Sequence, residues 1–412
     1  MKLKDKKKFL IDASILIKTN KNLQLKKLEH PKIQNNQVLV KIYYTSICGS
    51  QLMEIKGKRG KDKYLPHLLG HEASGIVNEV GPNVSKFKKG DKVIAGWITT
   101  NSKKYSGFNF NLIGTKKIIS AGPITTFSNY SLIYENRLIK KPKGLDLREA
   151  ALYGCAVPTG AGMVLNQVKP NRNDTVLVLG LGAIGLSAIA ALKCFKVRNI
   201  VAVDINNKRL KIAKKMGASI IMNFKKKDFQ KELLGKFPHG FDKCIESAGK
   251  TKTIEYGFSS LKDKTGKLYF ASHPDNKNFI RLKPHDLIRG REIYGSWGGN
   301  CKPDRDIPII YKLFKKNKID LKNLLSKDYS LKQINTAISD FKRGSVIRPI
   351  IKMQHKYSKW KKIVFVSGNF NVLHPGHLRF LKFAKERGDT LVIAVESNRI
   401  ADDNEHVDKK QD

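Results

Sequence analysis

The feature that most constrains the fold is a glycine-rich turn in the middle of the chain. Thr175 to Leu179 form an apolar run that is too short for a helix and is typical of a buried strand. Gly180, Gly182 and Gly185 follow in the spacing G-x-G-x-x-G, and an Ala/Leu-rich stretch continues to about Phe195. A strand that turns on glycines into a helix predicts the first unit of a doubly wound parallel sheet.

The same turn predicts a dinucleotide site. Its glycines, Gly180, Gly182 and Gly185, allow the backbone to approach a pyrophosphate, and the N-terminus of the helix offers N–H groups and a partial positive charge. Asp204 ends the next β-branched run, about 20 residues on, where a carboxylate accepts hydrogen bonds from both ribose hydroxyls. A carboxylate in that place repels a 2′-phosphate, so the sequence favours NAD over NADP.

The strand and helix signals differ on the two sides of this turn. Up to about residue 140, short β-branched runs alternate with Gly/Asn/Lys turns, which favours an antiparallel barrel. From residue 175 onward, short apolar runs alternate with helical patterns, which is typical of a parallel sheet covered by helices. The predicted fold class is therefore α/β, with a β-barrel domain beside a cofactor domain.

The charge of the chain bears on its partners. The formal net charge of the 412 residues is +44, but only 15 of the 79 cationic residues are arginine, and the lysines are spread along the whole length. Nucleic-acid binders usually concentrate basic residues on one face, with arginine prominent, so a solvated lysine-rich surface is the preferred interpretation. A non-catalytic nucleic-acid binder is kept as an alternative, with steep salt dependence of binding as its test.

Apolar runs and cysteines indicate the compartment. No apolar run approaches the roughly 20 residues that cross a bilayer, and the lysine-rich N-terminus leads into a strand signal, so we expect a cytoplasmic protein without a membrane partner. The five cysteines are an odd number in a large chain without an export signal, which favours reduced thiols. Functional cysteines should then be metal ligands or nucleophiles.

Two cysteines and one histidine form a candidate metal set. His71 lies between glycines ahead of a β-branched run, where a half-buried structural histidine is the alternative. Cys48 precedes it and Cys155 follows it; two thiolates and one imidazole suit zinc and leave a fourth position for water or substrate. Cys194 and Cys244 lie in apolar patterns and are expected to pack in the core.

These residues resemble the zinc-containing medium-chain alcohol dehydrogenases over about residues 8 to 353. The motif Gly70-His71-Glu72-x-x-Gly75 is specific to that family, whose catalytic zinc has this Cys/Cys/His ligand set. Ile47-Cys48-Gly49-Ser50 is similar to its first ligand segment, and the segment from Gly154 to Gly160 is similar to its third. The resemblance implies a GroES-like β-barrel catalytic domain at residues 1–165 and 296–353, and a Rossmann NAD-binding domain at residues 166–295.

The resemblance also implies roles for individual residues. Cys48, His71 and Cys155 would hold one catalytic zinc, Ser50 would pass the substrate proton outward, and Glu72 would tune the zinc from behind its ligands. Members of the family form homodimers or homotetramers through the edge of the cofactor-domain sheet. The remaining implied contacts are Thr159 and Ile184 at the nicotinamide ring, Arg209 near the adenosine ribose, and Arg348 at the pyrophosphate.

Three departures from the family pattern stand out. Gln51 replaces the usual Asp that orients the ligand histidine, and Met53 replaces a relay histidine found in some members. The polar, irregular segment from Thr99 to Thr115 contains no cysteine, whereas many relatives hold a structural zinc there with four. We therefore expect one catalytic zinc and no structural zinc.

A second strand-turn-helix pattern follows a predicted linker at residues 354–360. Gly368-x-Phe370-x-x-x-His374-x-Gly376-His377 resembles the cytidylyltransferase-like nucleotidyltransferases. The resemblance implies a partial domain at residues 361–412, in which His374 and His377 stabilise charge on the phosphates of CTP or ATP. Asn371 replaces the usual acid, and only about 50 residues are present. An inactive, truncated fusion is therefore preferred over transferase activity.

These observations predict a zinc-dependent oxidoreductase that transfers a hydride between NAD(H) and an alcohol or aldehyde, or a polyol or ketose. Cys155 stands where polyol dehydrogenase relatives often carry Glu, which favours the alcohol-oxidising branch. The C-terminal segment leads to a sharper hypothesis: a phosphorylated polyol or sugar-derived alcohol that is later activated as a CDP- or ADP-linked precursor of a surface polymer. The alternatives are a bifunctional nucleotidyltransferase and the nucleic-acid binder.

Overall fold

The computed structural model describes residues 10–275, 277–355, 363–368, 373–388 and 390–395. The chain divides into two units, residues 1–354 and residues 355–412. No helix in these described ranges is long and apolar enough to span a membrane.

Strands dominate the first part of the larger unit. Its elements are β1 (Leu10–Leu16), β2 (Gln24–Glu29), β3 (Gln37–Ser46), α1 (Gly49–Ile55), β4 (His67–Leu68), β5 (Glu72–Val80), β6 (Lys92–Gly96), β7 (Phe108–Leu112), β8 (Ile118–Ala121), β9 (Tyr130–Tyr134) and β10 (Leu138–Lys140). β1, β2, β7, β8 and β4 close a barrel in that order, antiparallel except for the short β4–β8 pair. The predicted β-barrel is therefore confirmed. Ile11, Ile15, Phe110 and Ile119 are among the residues that fill its interior.

Alternating strands and helices make up the second part of this unit. Its elements are α2 (Leu147–Ala150), α3 (Ala156–Met163), β11 (Thr175–Leu179), α4 (Ala183–Cys194), β12 (Asn199–Asp204), α5 (Asn207–Met216), β13 (Ile220–Asn223), α6 (Phe229–Lys236), β14 (Lys243–Glu246), α7 (Thr251–Ser259), β15 (Lys267–Phe270), α8 (Pro284–Ile288), β16 (Glu292–Gly295) and α9 (Pro303–Lys316). The six strands lie parallel in the order β13-β12-β11-β14-β15-β16, which confirms the doubly wound sheet.

The central strand β11 shows why this sheet forms. Successive side chains of a strand point to opposite faces, and a parallel sheet between two layers of helices buries both faces. Val176 and Val178 pack into the core beneath α4, while Leu177 and Leu179 pack into the core on the other face. A continuous apolar run is therefore what this position requires.

The chain then returns to the strand-rich part and ends in the smaller unit. The last elements are β17 (Leu325–Ser330), α10 (Ile334–Lys342), β18 (Arg348–Lys352), β19 (Ile363–Gly368), α11 (Pro375–Glu386) and β20 (Thr390–Val395). β18 pairs with β3 in a second sheet of order β10-β6-β5-β3-β18-β17, with β9 also on β3. This pairing carries Arg348 to the start of α1. In the smaller unit, β19 and β20 are parallel.

The segment from Thr99 to Thr115 is more regular than its sequence predicts. Phe108–Leu112 is strand β7 of the barrel, paired with β8 and with β2. Its asparagines alternate with buried or half-buried residues, and Asn and Gly weaken the strand signal of so short a run. The ring of Tyr105 stacks on Tyr134 with centroids 4.1 Å apart. Pairing with distant strands thus supplies an order that local propensity does not.

Candidate metal centre and cofactor site

Four side chains converge where the ends of β3 and β4 and the start of β5 meet the N-terminus of α3. Cys48, His71, Glu72 and Cys155 each bring one ligand atom into a group whose members lie within 4.8 Å of one another. The Sγ atoms of the two cysteines are 3.9 Å apart, and Nε2 of His71 is 3.3 Å from Sγ of Cys155. Within the described ranges, no other group of three or more His, Cys, Asp or Glu residues meets this distance criterion.

The proposed metal ligands lie at the ends of strands and helices. Cys48 follows β3 and caps the N-terminus of α1, and Cys155 directly precedes α3. His71 lies on the turn between β4 and β5, where Gly70 has φ of +93°. A Cβ on Gly70 would lie 2.7 Å from the ring of Phe127, so both the backbone conformation and the space require glycine there. The Gly-His-Glu motif is therefore a turn that aims one imidazole inward.

The electrostatics of the two buried thiols fit a divalent cation. The hydrogen bond with Cys155, together with Arg348 and His71, holds the pKa of Cys48 well below its usual range. The same hydrogen bond and burial raise the pKa of Cys155. Two thiols this close share one proton, so the second thiolate is strongly disfavoured until a positive charge arrives. Zinc supplies that charge and prefers this sulfur and imidazole set.

Glu72 has a partner that the sequence alone did not reveal. Its carboxylate is fully buried, and Oε1 forms an ion pair with Nη2 of Arg348, which is only 3% exposed. Burial raises the pKa of Glu72, and the guanidinium opposes that rise. Arg348 thus lies behind the metal ligands, and its predicted contact with a pyrophosphate stays a prediction.

Three further residues that the sequence singled out lie close to the ligands in space or in sequence. Gln51 accepts a hydrogen bond from the backbone N–H of Cys48 at 2.8 Å, and its Nε2 contacts Nδ1 of His71. The departure from the family pattern therefore falls directly on a ligand. Thr159 donates its hydroxyl to the carbonyl of Cys155 at 2.7 Å, one turn back along α3. The Oγ atom of Ser50 is buried without a hydrogen-bond partner among the described residues.

The glycine-rich turn has the geometry of a phosphate-binding turn. Gly180 has φ of +88°, and its N–H donates to the carbonyl of Val203 at 2.9 Å. A Cβ on Gly185 would clash with the carbonyl oxygen of Gly180, so α4 starts this close to the strand only with glycine. Gly182 caps α4 and has open space beside it, and Ile184 lies half-buried in the first turn. The backbone is therefore open to an approaching diphosphate.

Asp204 and Arg209 lie at the predicted ribose position. Asp204 accepts the backbone N–H groups of Leu181 at 2.7 Å and Asn206 at 2.8 Å, which fixes its carboxylate at the end of β12. The guanidinium of Arg209 lies 3.9 Å from that carboxylate. The carboxylate oxygens keep further lone pairs for ribose hydroxyls.

A cavity of about 590 Å³ lies beside His71. Strands of the barrel, helix α1 and the loop after α1 form its walls. The sequence did not mark this space, because its walls come from separate segments. Polar residues that line it include Gln51, Glu54, Arg59, His67, Asn109 and Ser120.

The two histidines of the smaller unit lie at the N-terminus of α11. Nδ1 of His374 accepts the N–H of Gly376 at 3.1 Å, and the N–H of His374 donates to Nδ1 of His377 at 3.3 Å. Their ring centroids are 6.4 Å apart. The noted Asn371 lies outside the described residues. The arrangement caps the helix, which is one role that such a pair can have.

Three sequence families match the chain. An alcohol dehydrogenase GroES-like domain matches residues 34–143, a zinc-binding dehydrogenase matches residues 183–316, and a cytidylyltransferase-like family matches residues 365–411. Alcohol dehydrogenase 2 of Zea mays is 28% identical over 368 residues, covering 83% of this chain and 97% of that protein.

Solved structures agree. Benzyl alcohol dehydrogenase from Acinetobacter calcoaceticus superposes with a TM-score of 0.76 at 28% identity, covering 84% of this chain and all of that one. An alcohol dehydrogenase zinc-binding domain protein from Burkholderia ambifaria has a TM-score of 0.78 at 24% identity, covering 85% of this chain and all of that one, and supports the fold alone. With the cysteine and histidine cluster and the glycine-rich turn, these matches show that the chain belongs to the zinc-containing, NAD-dependent medium-chain alcohol dehydrogenases.

Proposed function

We propose that this dehydrogenase acts on a polyol or its ketose, and that its product or substrate belongs to the supply of an activated surface-polymer precursor. The observation that carries the first part is the cavity of about 590 Å³ that His71 helps to line. Its wall combines polar side chains, such as Asn109 and Ser120, with apolar ones, such as Leu69 and Phe108, so it offers hydrogen-bond partners to a substrate that carries hydroxyl groups. The cytidylyltransferase-like match at residues 365–411 supports the second part.

The ligand set indicates what each group would do. Zinc held by Cys48, His71 and Cys155 would supply Lewis-acid polarisation of the substrate oxygen. The glycine-rich turn would hold the NAD diphosphate, and Asp204 would hold the ribose. Hydride transfer needs the carbinol carbon and the nicotinamide ring in contact. Helices α3 and α4 together would form the surface that orients the two groups.

Ser50 is the residue that we assign to proton transfer. Its Oγ atom is buried, has no hydrogen-bond partner within the described residues, and lies two residues after ligand Cys48. During alcohol oxidation, this hydroxyl would accept the substrate proton while passing its own to water. Gln51 and Met53 follow it on α1, and neither side chain can take up or release a proton near neutral pH, so water would complete the path.

Steady-state assays test this function. Purified enzyme is supplied with zinc and NAD⁺ or NADH and offered matched panels: short alcohols, polyols, aldehydes, ketoses and ketose phosphates. We expect turnover with polyols or ketoses that is lost in Cys48→Ala. Turnover confined to apolar alcohols would contradict the substrate class, and no turnover above the Cys48→Ala background would contradict the enzyme function.

Nucleotidyltransferase activity is the second candidate, because residues 365–411 match the cytidylyltransferase-like family. His374 and His377 lie at the N-terminus of α11, where a nucleotide phosphate would be stabilised. Pyrophosphate release from CTP or ATP, abolished in His377→Ala, would support this activity. Equal release of pyrophosphate by the unmodified protein and by His377→Ala would reject this activity.

A further inference from the structure

We propose that Glu246 is a positioning residue for the nicotinamide ring of NAD, and that it acts through the loop and the strand end that its carboxylate binds. Glu246 ends β14, is fully buried and belongs to none of the motifs described above. The proposal concerns the cofactor and does not depend on which alcohol or ketose is the substrate.

The topology of the cofactor sheet places Glu246 at the edge where a dinucleotide binds. β12 and β13 lie on one side of β11, and β14, β15 and β16 lie on the other. In doubly wound sheets, a dinucleotide binds across this change of direction, outside the carboxyl ends of the strands. Asp204 and Arg209 lie on the β12 side, at the predicted adenosine ribose. Glu246 is the last residue of β14, so it lies on the side left for the nicotinamide.

The carboxylate of Glu246 joins three segments of this edge. Oε1 accepts the backbone N–H groups of Ala248 at 2.8 Å and Gly249 at 2.9 Å, and the hydroxyl of Thr253 at 2.7 Å. Oε2 accepts the hydroxyl of Ser272, two residues after β15. All four partners donate, so both oxygens of the carboxylate act as acceptors. One side chain thus links the loop after β14, the first turn of α7 and the end of β15.

The near end of the loop after β14 is fixed without Glu246. The hydroxyl of Ser247 donates to the carbonyl of Gly180 at 2.7 Å, and its N–H donates to the carbonyl of Leu179 at 2.8 Å. These bonds attach Ser247 to the glycine-rich turn. What Glu246 adds is the position of the far end of the loop, at Ala248 and Gly249, relative to the end of β15.

The surface above Glu246 is open to a ligand. Ala248 and His273 are exposed, while the carboxylate beneath them is buried. A Cβ on Gly249, whose φ is +71°, would lie 3.5 Å from the Cβ of Ser272 and 3.7 Å from the carbonyl oxygen of His273, so the two segments are close neighbours. Together they form one accessible surface at the carboxyl edge of β14 and β15.

This surface lies on the side of the metal ligands. Burial, and then the charge of Arg59, lower the pKa of His273, while the thiolate of Cys48 opposes that shift. His273 therefore lies within electrostatic range of Cys48. Hydride transfer needs the nicotinamide ring between the sheet edge and the metal ligands, so the ring would meet the segments that Glu246 fixes. A surface fixed in advance lowers the cost of orienting a ligand.

A purely structural role is the alternative, and the other end of β14 provides its control. Asp242 directly precedes β14, accepts the N–H of Thr175 at 2.8 Å and pairs with Nζ of Lys262 at 2.8 Å. It joins segments of the same sheet at the amino edge, away from the cofactor edge. Asp242→Asn therefore removes a comparable connection without touching the proposed ring site.

The test compares Glu246→Gln, Ser272→Ala and Asp242→Asn in the full chain. Isothermal titration calorimetry without substrate measures the Kd of NADH and the Kd of ADP-ribose, which lacks the nicotinamide ring. Thermal melting measures the stability of each variant. Because no substrate is present, a failure to find turnover with polyols or ketoses would contradict the proposed function and leave these binding constants to decide the role of Glu246.

We expect Glu246→Gln to weaken NADH binding about 10-fold and to change the Kd of ADP-ribose by less than about 2-fold, because its amide donates where the carboxylate accepts. Ser272→Ala should shift the Kd of NADH in the same direction by a smaller factor. Asp242→Asn should lower the melting temperature and leave both Kd values unchanged.

Three results would overturn the proposal: an unchanged Kd of NADH in Glu246→Gln, an equal loss of affinity for NADH and ADP-ribose, or an equal loss of NADH affinity in Asp242→Asn. If Glu246→Gln does not fold, Ser272→Ala decides by the same comparison. It removes one hydroxyl and leaves the bonds of Glu246 to Ala248, Gly249 and Thr253 in place.

Discussion

Gln51 is the residue at which this chain departs most directly from its family's metal site. The backbone N–H of Cys48 is a donor, and it fixes the amide oxygen of Gln51 at 2.8 Å. The amide nitrogen then faces Nδ1 of His71. A histidine that binds metal through Nε2 carries its proton on Nδ1 and needs an acceptor there. A carboxylate accepts from both groups, whereas an amide has one oxygen to share between them.

Gln51→Asp should therefore bind zinc more tightly. Changes in groups that orient metal ligands typically alter metal affinity by about 10- to 100-fold, and we expect a tightening of about 10-fold here. Competition with a chromogenic chelator measures the zinc Kd. Gln51→Asn, which keeps the amide but shortens the side chain, is the matched control. A zinc Kd for Gln51→Asp equal to or weaker than that of the unmodified protein would contradict this interpretation.

A substitution at Arg348 tests the ion pair between Arg348 and Glu72, which are far apart in the sequence. Arg348→Met should destabilise the fold by about 3–5 kcal/mol, because it leaves the buried carboxylate of Glu72 without its counter-ion. Urea denaturation of the zinc-free protein measures the loss without any contribution from metal binding. Adding Glu72→Gln should recover much of that stability. A single variant as stable as the unmodified protein would show that the pair contributes nothing.

At this scale, the sequence predicted side chains that carry a motif and missed those defined by tertiary contacts. His71 was found through its glycine-flanked turn, and Cys48 and Cys155 through their soft-ligand chemistry. The pairing of Arg348 with Glu72 depends on β18 lying beside β3, which no local pattern encodes.

Among the elements, the short helix α2 contains a carboxyl group whose pKa is raised by its surroundings. Burial, with the charges of Asp146 and Asp320, raises the pKa of Glu149 to about 7. A carboxyl whose pKa is higher in the folded state than in the unfolded state holds its proton more tightly when folded. The free energy of unfolding therefore falls as pH rises between the two pKa values, from about 4.5 to about 7.

Glu149→Gln should remove this pH dependence. We expect the variant to be more stable than the unmodified protein by about 1–3 kcal/mol at pH 8, because glutamine avoids the buried negative charge. The difference should shrink as pH falls toward 5, where the glutamate is protonated in the folded state. Urea denaturation at both pH values measures the difference, and Glu232→Gln, at an exposed glutamate, is the control. A difference that is the same at both pH values would reject the assignment.

Predictability also differs between elements. β11 and α4 were predicted because a fully buried strand and a glycine-opened helix leave a strong local pattern. β7 was not, because its alternation of Phe and Asn covers five residues and depends on β2 and β8 for pairing. A short strand that depends on distant strands for its pairing has only a weak strand signal in its own sequence.

At the scale of the whole molecule, the two dehydrogenase matches and the cytidylyltransferase-like match fall on different structural units of the chain. The dehydrogenase matches lie within residues 1–354, and the cytidylyltransferase-like match lies within residues 355–412. The sequence predicted this division into a dehydrogenase part and a C-terminal part, because a second strand-turn-helix pattern follows a short predicted linker. It did not predict the substrate, because the cavity wall is assembled from separate segments.

Removal of residues 355–412 should leave the dehydrogenase intact, because the zinc ligands and the glycine-rich turn all lie in the first unit. We expect unchanged zinc content and unchanged kcat/KM. Loss of dehydrogenase activity in a truncated protein that still binds zinc and melts at the same temperature would contradict this independence.

The central claim is that Cys48, His71 and Cys155 hold one catalytic zinc in an NAD-dependent enzyme. Metal analysis by inductively coupled plasma mass spectrometry, with NADH binding measured on the same samples by fluorescence, tests it most directly. We predict one zinc per chain in the unmodified protein, and in Cys155→Ala a loss of that zinc with NADH binding retained. A Cys155→Ala protein that keeps a full equivalent of zinc, or an unmodified protein that binds none, would contradict the account.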